Sequence, residues 1–212
     1  MSYWAVYLTV ERANPKALNR AFILMQDFDY SEYPADSRLM LLTSKEMPSE
    51  SKATSLPLPE ISTNAFVGMS LADVNTFVRS HADFDASYKL QGTKLSAAIW
   101  LVIDQKGLET STCLVCEQYY DSGEDGEDGE GLTDQFRACR IPYEEAWIMM
   151  ANLDVANMGF EVYVDEDAGK QEDGSWKWKS FPSDSTEGDA PSAGDIKRVK
   201  VLQELRDGGY AD

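Results

Sequence analysis

Tyr3 to Val10 (YWAVYLTV) is a run of aromatic and β-branched residues and predicts a strand. Asn14 followed by Pro15 has the chemistry of a helix start, and the helix it opens is expected to reach about Met25. Leu18, Phe22 and Met25 fall on one face of it. The acidic and aromatic stretch DFDYSEY and Pro34 then break the pattern, and Arg38 to Thr43 predicts a short second strand. Residues 44–60 collect Ser, Pro, Lys and Glu, the composition of a long exposed connection.

Ser70 with Asp73 resembles a capping box, and the helix it starts runs to about His81 with Leu71, Val74 and Val78 on one face. Leu95 to Ile103 is an uninterrupted apolar run of strand length. Thr110 to Tyr120 and Gln135 to Ile141 predict two more strands. Lys106-Gly107 supplies a hairpin-like link between the first pair, and the acidic segment 121–131 a long loop between the second. Links of this kind leave no room for crossover helices, so the stretch 95–141 is expected to be an antiparallel meander.

Pro142 opens the next helix, with Tyr143, Ala146, Trp147, Met150 and Leu153 as its apolar face and Trp147 in the core. Beyond Gly159 the segment FEVYV suits a strand or a helical extension. Trp176 and Trp178 alternate with Lys177 and Lys179, as on a half-buried edge strand. Residues 182–195 (PSDSTEGDAPSAGD) read as a flexible acidic linker, and Ile196 to Arg206 as an amphipathic helix marked by Ile196, Val199, Leu202 and Leu205. The expected architecture is α+β. A mixed sheet with an antiparallel meander, covered by helices, forms one domain over 1–181, followed by the linker 182–195 and a C-terminal helix and tail over 196–212. That helix is basic on an acidic chain. It either docks through Val199 and Leu202, on its own domain, with the acidic loop 121–131 as the favoured surface, or on another protein, or it remains a frayed tail.

Composition adds limits. The 212 residues are 43% apolar and 11% aromatic, enough for a sizeable core. The net charge is −18, from 37 acids against 19 Lys and Arg. It is unevenly spread: 117–130 carries seven acids and no bases, and 161–195 ten acids against three lysines. Such a chain repels nucleic-acid backbones and anionic membrane surfaces, so neither is expected as a partner. The longest apolar run falls well short of the ~20 residues of a membrane helix. Met1 to Val10 has no basic segment of the kind that opens a secretory signal, and an odd set of three cysteines argues against a disulfide framework. A reducing, cytoplasmic setting follows as the expectation.

Few residues suggest chemistry. Cys113-x-x-Cys116, Cys139 and His81, the single histidine, make up a zinc-like set. Cys113 and Cys116 fall on a strand, three apart, and so face opposite ways; buried thiols without metal are the expectation. The run DSGEDGEDGEG (121–131) has neither the ligand spacing nor the flanking helices of a calcium loop. No glycine-rich phosphate loop and no nucleophile elbow are present, and no cofactor is expected. His81, near a helix end, suits an interaction with the helix C-terminus.

The most distinctive stretch is WIMMANLDVANMGFE, Trp147 to Glu161. Asn152 lies on the helix face opposite Tyr143, and Asn157 precedes Met158 and Gly159, where the helix can end. Two readings stand. One is a capped helix break, since asparagine bonds local backbone and tolerates left-handed conformations. The other is a polar pocket of Asn152, Asn157 and Glu161, with Trp147 beside it. The pattern Trp147, Asn152-Leu153, Ala156-Asn157-Met158, Phe160-Glu161, led in by FRACRIP, resembles DUF6924, a family of domains of unknown function. The resemblance spans about residues 95–165. It implies a compact α/β domain and brings no reaction, cofactor or catalytic residue. Two functions remain: a nonenzymatic module that binds a protein partner, or an isomerase, cyclase or lyase holding a small molecule among carboxylate, Tyr and Asn groups.

Overall fold

The computed structural model describes residues 2–83, 88–121, 131–180 and 190–212. The chain forms an α+β fold on one mixed sheet. Its elements are β1 (Tyr3–Leu8), α1 (Pro15–Leu24), β2 (Leu39–Leu42), α2 (Leu71–His81), β3 (Ala82–Asp83), β4 (Lys89–Leu90) and β5 (Leu95–Ile103). There follow α3 (Gln105–Thr110), β6 (Thr112–Asp121), β7 (Gly131–Pro142), α4 (Tyr143–Asp154), a 3-10 turn Phe160–Tyr163, β8 (Trp176–Lys177) and α5 (Ala193–Asp207).

The main sheet runs β2-β1-β5-β6-β7-β8. β1 pairs in parallel with both β2 and β5, the stretch β5-β6-β7 is the expected antiparallel meander, and β8 lies parallel to β7 at the far edge. The strand runs carry little polar relief because both faces are covered. Trp4, Val6 and Leu8 of β1 pack on one side with Leu18 and Phe22 of α1 and Met149, Met150 and Leu153 of α4. Ala5 and Tyr7 pack on the other with Val74, Phe77 and Val78 of α2. The cysteines obey the same alternation: Cys113 and Cys139 lie in the first layer and Cys116 in the second, all three free and buried. Burial raises their thiol pKa values, that of Cys139 to about 12.

Local chemistry sets the helix ends. Asn14 caps α1 with Pro15 at its first position, and Ser70 and Asp73 form a reciprocal capping box on α2. The link at Lys106-Gly107 differs from the expected hairpin. It is the short helix α3, because the Asp104 carboxylate accepts from the Gly107 N–H at 2.7 Å and starts a turn. Gly107 also lets the chain close tightly, since a Cβ there would sit 2.4 Å from the Thr112 carbonyl oxygen. FEVYV becomes a 3-10 turn rather than a strand. β8 is the expected edge strand.

Two other expectations change. The connection after β2 is not simply exposed. Leu56, Leu58 and Ile61 pack on the first layer, and Phe66 is fully buried in the second. The C-terminal helix starts at Ala193, three residues before Ile196, because Ser192 and Asp195 form a capping box. It docks on α1, but Val199 is 62% exposed and Ile196 60%; Leu202 is buried, with Val201 and Leu205 half-buried beside it. Around them, Arg198 lies over the Phe28 ring and Gly194 donates its N–H to Asp29. Buried Asn19 of α1 ties the tail down, donating to the Tyr210 carbonyl at 2.8 Å and accepting from the Leu58 N–H at 2.7 Å. The acidic run at 122–130 and residues 181–189 of the linker lie outside the described residues. Among the described residues no helix is long and apolar enough to cross a membrane.

Candidate functional site

The end of α4 gathers Asn152 and Asn157 around its own backbone. Asn157 donates its N–H to the Asn152 carbonyl at 2.9 Å, and Ala156 donates to the Leu153 carbonyl at 3.2 Å. These are the two bonds of a Schellman cap. The left-handed residue in it is Ala156, with φ of 52°, rather than an asparagine. The side chains reinforce the cap: Asn157 Nδ2 donates to Asn152 Oδ1 at 2.7 Å, and Asn152 Nδ2 to the Ile148 carbonyl at 2.8 Å. Alanine pays a Cβ penalty at that φ that glycine avoids. Ala156→Gly is therefore expected to raise unfolding stability by roughly 1 kcal/mol in urea melts. Trp147 sits at the edge of the core, half-buried, with its ring edge-on to Trp4 at 6.1 Å.

Glu161 turns away from the two asparagines. It pairs with Arg137 of β7, which also bonds Glu117 of β6 at 2.8 Å. The guanidinium lies 4.6 Å from the centre of the Phe160 ring and 5.4 Å from that of Tyr119. Burial raises the Glu117 pKa, with Arg137 opposing it. Glu161 suffers less burial, and its own backbone N–H together with Arg137 holds it below the usual carboxylate value. Glu161 and Arg137 line a cavity of about 270 Å³ with Trp176 and Lys170, and neither Asn152 nor Asn157 borders it.

In open sheets, ligands usually sit beyond the carboxyl ends of the strands, where successive connections leave to opposite faces. That point here is the end of β1, between α1 on one face and α2 on the other. The chain itself fills it: Asn64 Nδ2 donates to the Leu8 carbonyl at 2.6 Å and Gly68 N–H to the Thr9 carbonyl at 2.9 Å. A cavity of about 240 Å³ remains, lined by Thr9, Ser70, Asp104 and Asp173 among others. Both carboxylates are engaged by Arg140, whose side chain is 5% exposed. His81 is also held locally, its Nδ1 2.9 Å from the Phe77 carbonyl at the α2 C-terminus. Among the described residues no group of three or more His, Cys, Asp or Glu side chains is placed to hold a metal ion.

A larger space lies elsewhere, at the opposite end of β1. A groove of about 800 Å³ opens between α5 and the segments 33–37 and 52–57. Tyr3, Tyr33, Leu56 and Pro57 wall one side, and Val201, Leu205 and Tyr210 the other. The 52–57 segment is fixed against the free edge of β2, since Thr54 donates its N–H to Leu39 at 2.9 Å and accepts from the Leu41 N–H through its hydroxyl at 2.7 Å. A second cavity of about 450 Å³ shares Tyr33, Val201 and Glu204 with the first and extends to Phe28, Lys197 and Lys200. Ser37, which lines the groove, is 8% exposed, and its hydroxyl has no partner among the described residues. None of these groove residues was a candidate site residue in the sequence, although Leu205 was expected on the apolar stripe of the C-terminal helix. No family model, curated protein or solved structure matches the chain.

Proposed function

We propose that this protein is a nonenzymatic binding module whose ligand lies in the groove between α5 and the segments 33–37 and 52–57. One observation carries the reading. The groove's volume of about 800 Å³ and its mixture of aliphatic and tyrosine walls have the size and chemistry of a small-molecule site. Its walls come from well-separated parts of the chain that are tied to the core by Asn19, Thr54 and Leu202, so the cavity is pre-formed. Titration with a fragment library, followed by two-dimensional amide NMR, tests it. Shifts should concentrate at Tyr33, Ser37, Thr54, Val201 and Leu205. Shifts clustered instead around Arg137 and Glu161 would overturn the reading.

A second reading keeps the protein partner. Ile196 and Val199 stand exposed on the outer face of α5, and exposed aliphatic side chains one turn apart suit a partner helix or strand. The two readings part experimentally. Ile196→Lys with Val199→Lys should abolish capture of a protein partner and leave fragment binding in the groove unchanged.

A further inference from the structure

We infer that the groove takes an amphipathic anion, a single aliphatic chain ending in a carboxylate; this rests on the groove reading above. The first support is shape. The two cavities are neighbours, with Tyr33, Val201 and Glu204 in the walls of both, so together they extend the apolar lining beyond one pocket. Along it lie Phe28, Tyr33, Leu56, Val201 and Leu205, which suit a methylene chain.

The second support is charge. The chain carries −18, yet three cationic residues, Lys52, Lys94 and Arg38, lie near Tyr3 and Trp4 along the backbone at one end of the groove. Lys52 lines the groove directly. Lys94 is joined to the same place through its backbone: its carbonyl accepts from the Tyr3 N–H at 2.9 Å, and its N–H donates to Ser51, next to Lys52, at 2.7 Å. The Arg38 carbonyl accepts from the Trp4 N–H at 2.9 Å. None of the ion pairs among the described residues uses Arg38, Lys52 or Lys94. The one acid lining the larger cavity, Glu204, is already 4.0 Å from Lys200. Lys52 on the groove wall, with the backbones of Arg38 and Lys94 adjoining the same strand end and none of the three in an ion pair among the described residues, is complementary to an anionic head on an apolar tail. Ser37 adds an unpartnered hydroxyl nearby, which a change of χ1 rotamer reorients to donate to a carboxylate.

The test compares one chain with two heads. Decanoate and decyltrimethylammonium, each below its micelle concentration, are titrated into the full chain at low salt, and amide shifts locate the binding. Decanoate should bind in the groove about tenfold more tightly, a ratio fitting a few solvent-exposed ion pairs, and the preference should shrink with salt. Lys52→Gln and Lys94→Gln, both at exposed positions, should each lower decanoate affinity severalfold while the melting curve stays that of the parent. Equal binding of both heads in the groove would overturn the anionic class and leave the groove reading standing. If neither amphiphile moves groove amides, the inference is wrong, and the fragment titration decides the groove reading by itself.

Discussion

Replacing Phe66 with alanine should destabilise the fold by about 3–5 kcal/mol, the cost of deleting a large aromatic from a packed interior. Phe66 is fully buried although it belongs to no helix or strand. Its ring meets Tyr7 of β1 at 5.0 Å and Phe77 of α2 at 5.1 Å, both edge-on. The three rings close the second layer over β1, and alanine would leave Tyr7 and Phe77 facing a void that the surrounding strands cannot fill. The backbone around it is pinned by Ala65 to Thr43 and by Asn64 to Leu8, so collapse is restricted. Urea unfolding followed by tryptophan fluorescence measures the loss. Phe66→Leu, which keeps most of the volume, should cost much less, about 1–2 kcal/mol. A loss below about 1 kcal/mol for the alanine variant would mean that the 61–69 segment is dispensable to the core.

Features set by neighbouring residues were legible; features set by distant ones were not. The Ser70–Asp73 box, Asn14-Pro15 and the opposed faces of Cys113 and Cys116 depend on hydrogen-bond reach and strand alternation over a few residues, and the structure has all three. Phe66 could not be read, because its burial comes from Asn64 and Thr43 anchoring an irregular segment rather than from any periodicity. The face of α5 was misread for a geometric reason. Apolar residues at a strict spacing of three wind about 60° backwards around a helix per step, so Ile196 and Leu205 end up on opposite sides. The inward face is instead Gly194, Arg198, Val201, Leu202 and Leu205, which spans about 100°. Its pattern was masked because one member is a charged residue, Arg198, whose guanidinium stacks over Phe28. The asparagines of the α4 terminus were legible as a helix break, while the groove draws on positions 3, 33–37, 52–57 and 201–210 and leaves no local signature.

Arg140→Met should cost about 2–4 kcal/mol at neutral pH, and the loss should shrink in acid. Arg140 sits at the end of β7 with its side chain nearly buried, and it holds Asp104 at 2.6 Å and Asp173 at 2.9 Å. Asp104 also caps α3, so the guanidinium fastens the β5–β6 link to the turn preceding β8. Methionine fills the volume but leaves two carboxylates facing each other without a cation. Both are more than a quarter exposed, and solvent relieves part of that penalty, which places the cost below that of a fully buried pair. The pH dependence follows from Asp173. Burial opposes its charged form, but hydrogen bonds from Ser175 and then from Arg140 prevail and hold its pKa at about 2. The unfolded chain has an ordinary aspartate pKa of about 3.9, so the folded state binds fewer protons. The stabilisation from this carboxylate is complete above about pH 4 and is lost as the pH falls towards 2. Denaturation midpoints measured from pH 7 to pH 2.5 should therefore draw closer for the parent and Arg140→Met at the acid end, without meeting, because the Ser175 bonds to Asp173 remain in the variant. Parallel curves over the whole range would show that Arg140 acts by packing, not by charge; a narrowing gap would place the Arg140–Asp173 pair among the contacts whose protonation contributes to acid unfolding.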